Sequence, residues 1–158
     1  MAVKFKEGDF FRVPLSSGRF AFGRVLKNTW GFYNYVSNSS EVEISKLLDA
    51  NYAFKIWVSE FALKKGIWEI FASEELNDSE SEKEYFYKQD KINNKVWKTL
   101  TGAEEEPIST EECENLELAA VYDPEHVIER LEYFFSDDED PNIAFDKRAL
   151  REKGVSTV

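Results

Sequence analysis

At 158 residues and a net charge of −11, the chain is long enough for one cored domain. It is too acidic for a nucleic-acid binder, whose affinity comes largely from neutralising phosphates. A lone cysteine, Cys113, excludes an intrachain disulfide, and no run approaches the roughly 20 apolar residues of a membrane span.

Thirteen Phe, seven Tyr and four Trp dominate the core material and favour strands. The charge is uneven. Residues 1–72 carry 10 Lys/Arg against 7 Asp/Glu, a balance of +3, while residues 73–158 carry 10 against 24, a balance of −14. The opening MAVKFKEGDF has no apolar signal-peptide stretch, so the reading is a soluble, cytoplasmic protein.

In chain order, Phe10–Leu15 and Arg19–Leu26 read as two strands joined by Ser16-Ser17-Gly18, where Gly18 is free to take positive φ. On the second strand Phe20, Phe22 and Leu26 share a face with Arg24, and Gly23 on the other face marks a bulge or a close approach of backbone. Phe32–Val36 is a third strand. Ser40 and Glu43 fit a capping box before a short helix ending near Asp49. Phe54–Glu60 alternates as a strand, Lys65-Gly66 turns, and Ile67–Ala72 is the next strand. Ser73–Glu84 has almost no apolar residue and reads as an exposed loop. A hairpin follows, Tyr85–Asp90 and Val96–Leu100, turning at Asn93-Asn94, then an acidic loop from Thr101 to Asn115 and a last strand, Leu116–Tyr122.

The clearest helix starts at Asp123-Pro124-Glu125, with an N-cap residue, proline at the first helical position and an acid in the first turn. Val127, Ile128, Leu131, Phe134 and Phe135 form its apolar stripe, and Glu125, Glu129, Arg130 and Glu132 its polar side. An acidic coil begins at Asp137, and the charged tail forms a short helix around Lys147–Lys153. The expected fold is therefore α+β: a strongly twisted antiparallel sheet or partly open barrel of about 6–8 strands, with a short helix near 43–49 and an amphipathic helix near 124–135 packed on it. Residues 1–136 form the β-rich domain, and 137–158 an acidic coil and charged tail attached to it.

Catalytic and metal chemistry finds little support. His126 is the only histidine and reads as a half-exposed helix residue; Cys113 lies among acids that raise its pKa. Together they fall short of a zinc ligand set, and Asp137-Asp138-Glu139-Asp140 lacks the spacing of a calcium loop. No glycine-rich phosphate motif occurs. No catalytic residue, cofactor, metal, nucleic-acid partner or membrane partner is expected. The aromatic and arginine-bearing stretch Phe10–Leu26 has the residues of a base-stacking platform, but its alternation is that of a buried sheet face.

Gly8-Asp9-Phe10-Phe11-Arg12-Val13-Pro14-Leu15 and Gly18-Arg19-Phe20-Ala21-Phe22-Gly23-Arg24-Val25-Leu26 resemble the start of the immunity protein 26 family. Lys55-Ile56-Trp57-Val58, Gly66-Ile67-Trp68 and Asp123-Pro124 leading into Val127, Glu129, Arg130 and Leu131 are similar too. These families are antidotes of bacterial polymorphic-toxin and contact-dependent growth inhibition systems. The resemblance implies a non-enzymatic inhibitor that binds a cognate toxin domain one-to-one. The opening stretch is then scaffold. An acidic antidote suits a basic nuclease, by faster encounter and rejection of wrong partners. The clustered acids Glu104, Glu105, Glu106, Asp137, Asp138, Glu139 and Asp140 are the expected contacts, with Tyr85, Tyr87 and Trp97 as aromatic anchors. The alternatives are a small carboxylate-based hydrolase and a peptide-binding β-barrel adaptor.

Overall fold

The structure is a computed structural model and describes residues 2–158. It is mixed α+β, as the elements read along the sequence predict, and its strands divide between two sheets rather than closing into a barrel. The chain forms two compact units: residues 1–82 with 121–138, and residues 83–120 with 139–158.

The first unit is built on a six-stranded sheet. β1 (Asp9–Pro14), β2 (Phe20–Val25), β3 (Trp30–Ser37) and β4 (Tyr52–Val58) form an antiparallel meander. β5 (Glu69–Ser73) pairs with β1 on one edge, and the two-residue β10 (Val121–Tyr122) pairs with β4 in parallel on the other. Gly18 takes φ +86° in the β1–β2 turn. Gly23 is both things its position predicts. The β2–β3 register shifts there, and an added Cβ would lie 2.5 Å from the Phe11 ring.

Both faces of this sheet are covered, which explains the aromatic content. On one face Phe11 is central: Trp68 stacks on it at 5.5 Å, and Trp30 and Phe32 pack around it. Such ring pairs add about 0.5–1.5 kcal/mol each beyond burial. Helix α2 (Phe61–Lys64), which sequence periodicity is too short to signal, drops Ala62 and Leu63 into this layer. Helix α4 (Pro124–Phe135) covers it with Val127 and Leu131. On the opposite face Phe10, Phe22 and Tyr33 pack with Leu47 of α1 (Ile44–Asp49).

Several local details depart from expectation. Ser40 does not cap α1: Glu43 occupies the N-cap position without a side-chain bond, because the preceding serines turn the chain. Ser37 and Ser39 hydroxyls accept from the amides of Ser39 and Glu41. The expected strand 116–122 is two pieces, β9 (Glu117–Leu118) and β10, one in each sheet. The loop 73–84 is not wholly exposed: a 3-10 turn at Ser79–Ser81 buries Glu80.

The second unit centres on the hairpin β6 (Phe86–Gln89) and β7 (Val96–Thr99), flanked by β8 (Glu106–Pro107) and β9. Asn94 takes φ +61° in the predicted hairpin turn. Helix α3 (Thr110–Cys113) is capped by the Ser109 hydroxyl, which accepts from the Glu112 amide. The tail helix begins earlier than its charge pattern suggests: α5 spans Pro141–Lys153, with the Asp140 carboxylate accepting from the Asn142 amide. Tyr87, Val96, Ile108, Cys113 and Leu150 form the core of this unit. Lys147 fastens α5 by donating to the carbonyls of Cys113, Glu114 and Leu116 at 3.1, 3.2 and 2.8 Å.

Candidate functional site

The outer face of α4 is a charged surface of the first unit. The sequence placed four charged residues there, Arg130 among them. The structure removes Arg130. Its guanidinium lies 4.0 Å from the centre of the Phe54 ring and donates to the Tyr122 hydroxyl at 3.1 Å, leaving the residue 7% exposed. Arginine's long apolar stem and weakly hydrated head make that burial tolerable. Glu125, Glu129 and Glu132 then share one face, at i, i+4 and i+7, with no base among them.

These acids rim a groove of about 550 Å³ between α4 and the β1–β2 turn. Ile128 and Tyr133 line it with apolar surface, and Ser16, Ser136 and Asp138 complete it. The Ser16 and Ser17 hydroxyls donate to the two Glu132 oxygens at 3.2 and 3.0 Å, tying the turn to the helix. Glu125 and Glu129 have no salt-bridge partner among the described residues. Sequence reasoning missed this groove because Arg130 read as surface. The spacing of the three glutamates was the available signal.

The C-terminus of α4 sets the direction of the next two acids. Asp137 takes φ +56°, its amide donating to the Phe134 carbonyl at 3.3 Å, while the Asp138 amide reaches Tyr133 at 3.0 Å. This is a Schellman closure with aspartate where glycine is usual. It turns Asp138 into the groove and leaves Asp137 exposed. Glu139 and Asp140 belong to the second unit, Glu139 exposed and Asp140 committed to capping α5.

The other expected acids are held in place within the second unit. Glu104 closes the loop after β7, accepting from the Thr99 hydroxyl and the Thr101 amide at 2.9 Å, and also from the Leu100 amide and the Thr101 hydroxyl. The Thr101 hydroxyl and these amides hold its carboxyl far below the usual carboxylate range. Glu105 pairs with Lys88 at 2.8 Å, and Glu106 with Lys98 at 3.7 Å. Lys98 also lies over the half-buried Tyr85 ring at 5.0 Å. Trp97 is half-buried on β7, and Tyr87 is buried at 1% exposure, inside the core rather than on the surface.

A second polar constellation lies inside the first unit. Arg24 spends all its donors. Nη1 donates to both Glu80 oxygens at 3.0 and 2.9 Å, Nη2 to the carbonyls of Glu74 and Glu75, and Nε to Gly8. The guanidinium rests 4.3 Å over the Phe10 ring. The Tyr52 hydroxyl donates to Glu80 at 2.6 Å and lies 3.2 Å from that of Tyr33. Burial pushes the Glu80 carboxyl up, but Tyr52, the Asn77 amide and Arg24 outweigh it and hold the group below its ordinary value. Burial and the hydrogen bond to Glu80 push the Tyr52 phenol far up. The network's chemistry is that of a satisfied lock, with its carboxylate ionised and its phenols neutral.

Among the described residues no helix is long and apolar enough to cross a membrane. Comparison with curated proteins and with solved structures gives no match. A family model described as Immunity protein 26 matches residues 6–98. The match takes in β1 to β6, ends within β7 and stops before α4 and α5.

Proposed function

The chain belongs to the immunity protein 26 family, and from that premise we propose that it neutralises a cognate toxin by binding and blocking it, without catalysis of its own. Family membership supports the immunity role. The burial of Arg130 carries the choice of surface, because it leaves the outer face of α4 acidic above an apolar floor. A nuclease needs a basic face to hold nucleic acid, so a basic nuclease domain of a polymorphic toxin is the partner this surface suits. The groove lies on α4, outside the matched segment, where partner choice can differ on a shared scaffold. Asp137, Glu139 and the hairpin residues Tyr85, Trp97, Glu105 and Glu106 are proposed as supporting contacts. The lysines already paired to Glu105 and Glu106 reduce what those acids offer a partner.

The test is co-expression in the cytoplasm with the C-terminal toxin domain encoded beside this protein, read by growth and by titration calorimetry of the purified pair. Rescue with saturable one-to-one heat supports the reading. Continued toxicity together with no heat overturns it.

A further inference from the structure

The second unit contains a cavity of about 390 Å³ between the β6–β7 hairpin and α5. Its wall is mixed in a way that suits a small ligand: Leu118 and Phe145 are apolar, while Tyr87, Gln89, Asn94 and Asp146 are polar. Two of these polar groups make no hydrogen bond among the described residues. The Tyr87 hydroxyl is fully buried and has no hydrogen-bond partner among the described residues. Asp146 is half-buried, and its carboxylate accepts no hydrogen bond among the described residues. Leaving such a buried hydroxyl unpaired is unfavourable, and a ligand that pairs it removes that cost. Phe145, next along α5, is 67% exposed at the same cavity, although it is the helix's largest apolar side chain.

We propose that this cavity binds a small organic ammonium ion on an apolar stem, its N–H groups bridging the Asp146 carboxylate and the Tyr87 hydroxyl while Phe145 and Leu118 cover the stem. An ammonium carries three donors, so it can donate to the Asp146 carboxylate and to the Tyr87 phenol oxygen at once. A ring beside the cation adds attraction. Burial and Asp140 hold the Asp146 carboxyl above its usual value, while Lys91 and Lys147 oppose that shift; a bound cation would bring it back down. The exposed Lys91 and Lys153 line the same cavity and favour a ligand whose far end is anionic. The inference does not depend on the toxin reading. The cation's source is either a free small molecule or a lysine side chain of a bound protein.

The experiment is a two-dimensional amide NMR titration of the full chain with hexylammonium, 6-aminohexanoate and hexanoate. The expected result is saturable shifts at Tyr87–Asn94, Leu118 and Phe145–Lys153 with both amines and none with hexanoate. Asp146→Asn is expected to weaken amine binding by about tenfold or more, the loss of a charge-assisted hydrogen bond. Tyr87→Phe separates binding from folding: deleting an unpaired buried hydroxyl leaves stability unchanged or raised, yet weakens amine affinity. Equal binding of hexanoate, no saturable shift, or amine affinity indifferent to both substitutions would overturn the proposal. Displacement of the bound amine by the toxin domain assigns the source to a side chain; retention assigns it to a free molecule.

Discussion

Arg24 and Glu80 lie 56 positions apart and form a bidentate ion pair of 2.9–3.0 Å, with side chains only 1% and 9% exposed. The pair fastens the acidic loop 74–82 onto the sheet face made by Phe10, Phe22 and Tyr33. Breaking it from one side strands a buried charge. Arg24→Ala or Glu80→Ala is therefore expected to cost about 3–5 kcal/mol in chemical denaturation. Removing both charges together, as Arg24→Met with Glu80→Leu, should recover much of that loss, because the desolvation cost disappears with them. If the double variant is as unstable as the sum of the single changes, the two residues are not coupled and this account fails.

The same pair sets a pH dependence. The folded state holds Glu80 below its ordinary value of 4.5, so the unfolded chain binds the proton first. Its stabilisation is complete above that ordinary value and drains away as pH falls through the lower, folded one. Urea denaturation between roughly pH 6 and pH 3 should show falling stability in the wild type and a shallower slope in Glu80→Gln. Parallel slopes would mean that other carboxylates govern acid unfolding.

The strands of the first unit and α4 were legible because each announces itself locally. Phe20, Phe22 and Arg24 alternate with Ala21, Gly23 and Val25, and α4 opens on aspartate, proline and glutamate. The site was harder to read, because side-chain direction depends on partners far away in sequence. Arg130 reads as a surface residue by its charge, yet it stands at i+3 from Val127 and i−4 from Phe134, beside the apolar stripe, where Phe54 and Tyr122 receive it. Glu80 sits in a run that looks fully solvated and is captured by Arg24 and Tyr52. Glu104 stood out as one of three adjacent acids, and its role as a loop clasp depends on hydroxyls and amides that composition does not reveal.

Cys113 offers a probe of the second unit. It is wholly buried with Leu150, Ile108 and Val96, and burial pushes its thiol up to about 11. At pH 8 about one thiol in a thousand is ionised at that value, so both access and nucleophilicity are low. Alkylation by iodoacetamide should be slow in the native protein and follow the opening of this unit. Leu150→Ala, which leaves a cavity against Cys113, should accelerate it. Native alkylation as fast as that of an unfolded peptide thiol would contradict the packing.

The acidic clusters can be separated into residues that serve the fold and residues free to serve a partner. Asp140 caps α5, so Asp140→Lys should cost about 1 kcal/mol of stability before any effect on binding. Asp137 sits at a left-handed position, so Asp137→Gly should stabilise the protein slightly while deleting one charge. Glu129 is exposed and unpaired on α4, so Glu129→Lys should leave stability within about 0.5 kcal/mol of wild type. If the acidic face steers a basic toxin, Asp137→Gly and Glu129→Lys should slow association at low salt, and the difference should shrink as salt screens it. Reversing the whole Asp137–Asp140 cluster should slow association further while the protein stays folded. Stopped-flow association with the toxin domain at two ionic strengths measures this directly. Unchanged rates at low salt in folded variants would move the toxin contact away from α4 and its C-terminus, and leave the net charge of −11 as a solubility device.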